Sequence, residues 1–186
     1  MNFYRHITVI IISVILCMIS SPALAGGAET IEDALSVVDI ALETEDYDAL
    51  DSIINPDYGL NVGGYVIYPN ELEGIVNDET ERDFEFVTAD GIELAETSFA
   101  YFLWGDNGAF TEMNNVTMAH FMEIDRDELP DDSTMEMWEH GEFEVAVVED
   151  DENTVHVYIF PDLLYRVTFQ SIDELWHITA IAARAE

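Results

Sequence analysis

Lysine is missing from this 186-residue chain, and arginine occurs only five times, against 40 aspartates and glutamates and a formal net charge of −35. A surface of that sign repels phosphate backbones and anionic lipid headgroups, which excludes nucleic acid as a partner. Cysteine is almost as scarce. The single one, Cys17, lies in the apolar opening segment. If that segment is removed, no disulfide, thiol chemistry or Cys-ligated zinc is open to the remaining chain. Long hydrophobic runs are lacking too. The longest, "ITVIIISVILCMI", has 13 residues, short of the ~18–20 that a membrane-crossing helix needs.

What is present at the start is a leader pattern. A weakly basic "MNFYRH" precedes the apolar run, and "SSPALA" follows it with small residues at Ala23 and Ala25. This predicts a secretory signal peptide over residues 1–25, cut before Gly26, and hence a periplasmic or secreted protein without a stable membrane anchor. Leu16 stands before Cys17, where lipoprotein processing wants a small residue. Residues 26–186, 161 in number, form one domain of ordinary size. They hold all 40 acids and only Arg82, Arg126, Arg166 and Arg184, so their net charge is 4 − 40 = −36. Because the acids are spread along the chain, adaptation to high salt explains them better than one cation-binding patch. The chain is 49% hydrophobic and 11% aromatic, which is a folded composition, not a disordered acidic tail.

Helical spacing opens the domain at Ile31, Ala34, Leu35, Val38, Ile40 and Ala41, with Thr30 and Asp33 as a cap. A second helix is expected from Tyr47 to Ile54, ended by "NPDYG". "LNVGGYVIYP" reads as an extended segment, "DFEFVTADGIEL" as a hairpin turning at Asp90 and Gly91, and Ser98 to Trp104 as a short helix stopped by Gly105. From there to "DELPDD" only fragments are legible. The end is clearest: "EFEVAVV", "TVHVYIF", "LLYRVTF" and "LWHITAI" are strands joined too closely to be anything but an antiparallel meander. Helices first and a meander last predict an α+β fold, with helices packed on one face of a sheet.

With "SIDE" as a four-residue loop, Thr168 pairs with His177 and Arg166 with Thr179. Tyr165, Val167, Phe169, Trp176, Ile178 and Ala180 then make the core face. Arg166, Thr168, His177 and Thr179 make a wet or subunit-facing one. Arg166 and His177 could hold an anion or move a proton, but polar residues on a solvated sheet face are the simpler reading. Tyr101 and Trp104 beside "GDNG", and His156 alternating with Tyr158, are the candidates for lining a ligand pocket, with core packing as the plain alternative. His120, His140, His156 and His177 are 20, 16 and 21 residues apart and form no metal-binding pair. "DRDELPDD", Asp125 to Asp132, lacks the glycine and closing glutamate of a calcium loop and reads as a solvated turn. No metal and no cofactor is expected.

The opening amphipathic helix, the turn of "DYDALDSIINPDYGL" into a strand, and the meander "VHVYIFPDLLYRVTFQSIDELWHITAIAA" together resemble the NTF2-like superfamily, with its SnoaL-like and ketosteroid-isomerase-like members. The resemblance implies a cone: a strongly curved, mostly antiparallel sheet around helices, a pocket between them, and a sheet face used for dimerisation. It carries over no catalytic residue, because among 40 acids a carboxylate near a tyrosine is uninformative. The function expected is a non-catalytic module that holds a small apolar ligand or pairs with a second copy of itself. An acid/base enzyme of the isomerase or cyclase kind and an acidic cation-binding protein are the alternatives.

Overall fold

Thr30 starts helix α1 (Ile31–Thr44) as expected: its hydroxyl accepts from the Asp33 amide at 3.1 Å, and Glu32 and Asp33 sit favourably in the first turn. Ile31, Ala34, Leu35, Val38, Ala41 and Leu42 form its buried stripe, whereas Ile40 faces solvent. The structure is a computed structural model that describes residues 26–75, 77–88, 91–118, 136–140, 143–160 and 165–183. The leader, His120 and Asp125–Asp132 lie outside those residues.

Helix α2 (Tyr47–Asp51) is capped by Asp46 and is shorter than expected, because Ser52 and Ile53 leave it in a turn and Ile54 joins the sheet. The segment read as one extended piece is a hairpin, β1 (Leu60–Val62) and β2 (Tyr65–Ile67), turned by Gly63 and Gly64 at φ 55° and 93°. Two consecutive positive φ values are what such a turn demands. Helix α3 (Leu72–Ile75) follows, and then a separate hairpin of β3 (Glu81–Thr88) and β4 (Gly91–Ser98). Its register pairs Thr88 with Gly91, so Gly91 belongs to the strand and not to the turn, while Asp90 lies outside the described residues. Ser98 caps α4 (Phe99–Trp104), and α5 (Ala109–Val116) follows where the sequence is hard to read. No side chain caps α5, so its start carries no local signal.

The meander is β5 (Glu136–His140), β6 (Phe143–Asp151), β7 (Thr154–Phe160), β8 (Tyr165–Ile172) and β9 (Leu175–Ala182). Together with the first hairpin it makes a seven-stranded sheet ordered β2-β1-β9-β8-β7-β6-β5, antiparallel throughout except where β1 runs parallel to β9. Before β1 arrives, the same edge of β9 is already paired, by Ala28 at Trp176 and by Ile54 at Ile178. The last strand is therefore interior along most of its length. Bulges supply curvature in a sheet. Among the described residues the register shifts at only two places, Glu149/Asp151 and Thr168/Phe169. The sheet is accordingly not strongly curled, unlike the cone expected; what stands is an α+β fold.

Helices α1 and α5 pack on the face that carries Val155, Val157, Ile159, Tyr165, Val167, Phe169, Ile178 and Ile181. From the second hairpin Phe84 enters this core, stacked on Phe102 with ring centres 4.1 Å apart and on Phe99 at 6.1 Å. Gly63 makes room for it, since a Cβ there would lie 2.5 Å from the Phe84 ring.

Candidate functional site

The β8–β9 hairpin is built differently from the four-residue loop expected. Asp173 and Glu174, at φ 53° and 68°, form a two-residue turn, so Ser171 and Ile172 join β8 and the pairing shifts. Such a turn matches the twist of the strands it joins, which favours it over a wider loop. Gln170 now faces His177, Thr168 faces Ala180 and Arg166 faces Ala182. The register shift at Thr168/Phe169 leaves Thr179 as the extra residue, turning Ile181 into the core in place of Ala180. Arg166 and His177 are thus level with positions four residues apart along β8, about 13 Å at strand rise. They line different cavities.

A shared wet face is also ruled out by burial: His177 is 2% exposed and Thr168 7%. The wall over His177 comes from both ends of the helical segment. Ala28 and Trp176 exchange backbone hydrogen bonds at 2.9 and 2.7 Å, Gly27 donates to the Ser52 carbonyl, and the Ile178 amide donates to Ile53. Gly27 lies flat against the imidazole at φ 112°; a Cβ there would be 2.7 Å from Cε1. No other residue satisfies that backbone and that gap together. Burial lowers the pKa of His177, although an accepting Ile53 carbonyl opposes the shift, as does the charge of Asp173 to a lesser degree. Nδ1 has no hydrogen-bond partner among the described residues.

Close by, Asp51 ends α2 and is 9% exposed. One oxygen, Oδ2, accepts from the Asn70 amide at 2.6 Å, while Oδ1 is buried with no partner among the described residues. Desolvation raises its pKa, the charges of Asp48 and Glu71 add to this, and the Asn70 hydrogen bond resists it. Asn55 holds the corner between them, its Oδ1 accepting from Asp57 and Tyr58 at 2.9 and 3.2 Å. Asp51, Asn55, Asn70 and His177 all line one open cavity of about 690 Å³, with Asp48, Asp57 and Asp173 at its exposed rim. That volume suits a small molecule. Two buried polar atoms left without protein partners are costly unless a ligand or water meets them.

The pocket residues expected from sequence do not converge. Tyr101 is exposed and lines a smaller cavity of about 280 Å³ with Tyr165. Trp104 is core packing, edge-on to Tyr47 at 6.0 Å and tilted against Phe110 at 5.0 Å. His156 and Tyr158 sit on the other face of β7 from the core valines, and His156 Nδ1 meets the Thr168 hydroxyl at 3.1 Å. Arg166 lines a cavity of about 580 Å³ beside Asp83 and Glu85. Of the residues singled out beforehand, His177 alone reaches the 690 Å³ cavity. Asp51 was missed, although Tyr47, Asp51 and Ile54 at i, i+4 and i+7 put a carboxylate on the helix face that packs inward. Among the described residues, no group of three or more His, Cys, Asp or Glu could hold a metal ion, and no helix is long and apolar enough to cross a membrane.

Comparison with known proteins adds no relative: no protein family, curated protein or solved structure matches the chain.

Proposed function

We propose that this is an exported, acidic, NTF2-like binding module whose ligand site is the cavity between Asp51 and His177. The observation that carries the reading is that Asp51 and His177, which each keep a buried polar atom without a partner among the described residues, line one cavity of about 690 Å³. Natural folds leave few such groups unsatisfied, and those they leave are concentrated where something binds. Helices packed on one face of a mostly antiparallel sheet support the NTF2-like assignment. The space between helices and sheet, where that family's pocket is expected, is filled by Phe84, Phe99, Phe102, Phe110 and Tyr165. This favours a binder that uses a different cavity over an isomerase-type enzyme. The polar lining also suits a polar ligand better than the apolar one expected from sequence.

One observation favours the acid/base alternative: a carboxyl pushed up by burial and a histidine held neutral line the same cavity. Native mass spectrometry of protein purified from its own host in volatile salt tests the binding reading. A co-purified small molecule, lost when Asp51 is changed to Asn, is the expected result. An empty protein that forms a dimer would transfer the function to an interface between copies.

A further inference from the structure

We infer that the free edge of β2 pairs with the β2 edge of a second copy, antiparallel about Val66, so that two seven-stranded sheets become one. Among the described residues four strands are paired on one side only: β2, β3, β4 and β5. Strand β3 carries Glu81, Asp83 and Glu85, β4 carries Glu93 and Glu96, and β5 carries Glu136 and Glu139. Charges of this kind keep a sheet edge from joining another chain. Strand β2 has none, and neither does any residue from Tyr58 to Asn70, the longest uncharged run after Glu29. Six large apolar side chains are exposed among the described residues, and four of them, Tyr58, Tyr65, Val66 and Tyr68, lie in that run. Such a concentration marks a contact surface. The two-residue turn at Gly63 and Gly64 closes on the pair Val62–Tyr65, and bonded and open pairs alternate from there. Tyr65 and Ile67 therefore bond to β1, while the N–H and C=O of Val66 point to the free edge. Neither has a partner among the described residues. Past Val66 the edge is closed, since the Tyr68 amide donates to Glu71 Oε2 at 2.7 Å and its carbonyl accepts from the Glu71 amide at 3.1 Å. One donor and one acceptor on a single residue are answered by the same residue related by a two-fold axis. A groove of about 470 Å³ beside all three β2 residues leaves the approach open. Charge selects the occupant. A basic partner gains more at the carboxylate-bearing edges, and two copies of a chain with net charge −35 meet at least cost where neither brings a carboxylate.

This inference is independent of the cavity between Asp51 and His177. The edge is small against the ~800 Å² per partner of a standard interface, so the dimer is expected to be weak, with Kd on the order of 100 μM in about 1 M NaCl. Sedimentation of the protein purified from its own host, up to about 500 μM, should show that dimer, at least threefold weaker in about 0.1 M NaCl, where the two copies repel over a longer range. Val66→Glu should weaken it at least tenfold. Ile40→Glu puts the same charge on an exposed apolar position of α1 and should leave it within twofold. A second reading does not depend on how Val66→Glu folds. In a chain carrying Cys17→Ser, Val66→Cys supplies the only thiol, and a directly opposed antiparallel pair, with Cα atoms about 5.5 Å apart, is within reach of a disulfide. Oxidation should then give covalent dimers at least tenfold faster than the same thiol placed by Ile40→Cys. A protein that stays monomeric at every concentration and salt would overturn the inference, as would a dimer that Val66→Glu leaves intact or equal oxidation rates at the two positions. A monomer that brings another protein with it, released by Val66→Glu, would assign the edge to a different partner and overturn the pairing of two copies.

Discussion

The two faces of β8 and β9 solve opposite problems. On one, Val167, Phe169, Ile178 and Ile181 close against helices and a stack of aromatic rings, and the polar groups that enter are few: the Tyr165 hydroxyl, which donates to the Asn107 carbonyl at 2.6 Å, and the buried carboxylate of Glu112 beside it. On the other, His177 is as deeply buried but keeps an unanswered nitrogen, next to a cavity edged by Asp51. The first region spends its burial on stability. The second retains polar groups that a purely structural region would have replaced with apolar ones. Equal burial therefore does not mean an equal role.

Substitutions on each side sharpen the contrast. Phe84→Ala removes a ring stacked on both Phe99 and Phe102 and should cost about 3–5 kcal/mol. Urea denaturation in high salt measures this, and ligand binding in the cavity should stay within about twofold, since a truncation cavity in the core alters packing and not the polar lining. Gly27→Ala should cost less, about 2–3 kcal/mol, from a strained positive φ and a methyl driven into the imidazole. It should also disturb the cavity, because His177 has to move. If Gly27→Ala left the His177 resonances unchanged, the glycine would not be what seats the ring.

Most of the architecture was legible because period and turn chemistry are local. The amphipathic stripe of α1, the Ser98 cap of α4 and the four meander strands all follow from spacing within a dozen residues. The hairpin register was not legible, because it depended on Asp173 and Glu174 taking positive φ and on one extra residue at Thr179. Neither is written in the alternation of apolar residues. The site was less legible again. Asp51, Asn70, Gly27 and His177 are far apart in sequence and meet only because Ala28 and Ile54 both pair with β9. The pocket expected at Tyr101, Trp104, His156 and Tyr158 failed for the same reason in reverse: aromatic character suggests a lining but says nothing of which face it joins.

The pH dependence separates the two regions further. His177 has a folded-state pKa below its ordinary 6.5, so between those values the unfolded chain binds a proton that the native protein refuses. Stability from this group is therefore full above about pH 6.5 and falls as the pH drops through that window toward the folded pKa. Denaturation midpoints from about pH 7.5 to 5.5 should show that decline in the native sequence and a shallower one in His177→Gln. An identical slope in both would assign it to other groups.

Asp51 runs the other way and gives the smallest effect on stability. Its pKa is raised above the ordinary 3.8, so the native protein holds this proton more tightly than the unfolded chain does. Ionisation thus weakens the fold as the pH rises from about 4 through the folded pKa, and the whole penalty is present above it. Asp51→Asn removes that penalty while its carbonyl can still accept from the Asn70 amide. The variant should be as stable as the parent or more so, by no more than about 1 kcal/mol. Stability gained together with ligand lost is the signature of a group kept for binding. A loss of 2 kcal/mol or more would instead make Asp51 a structural partner of Asn70, and the difference between the two faces of the sheet would then be one of degree.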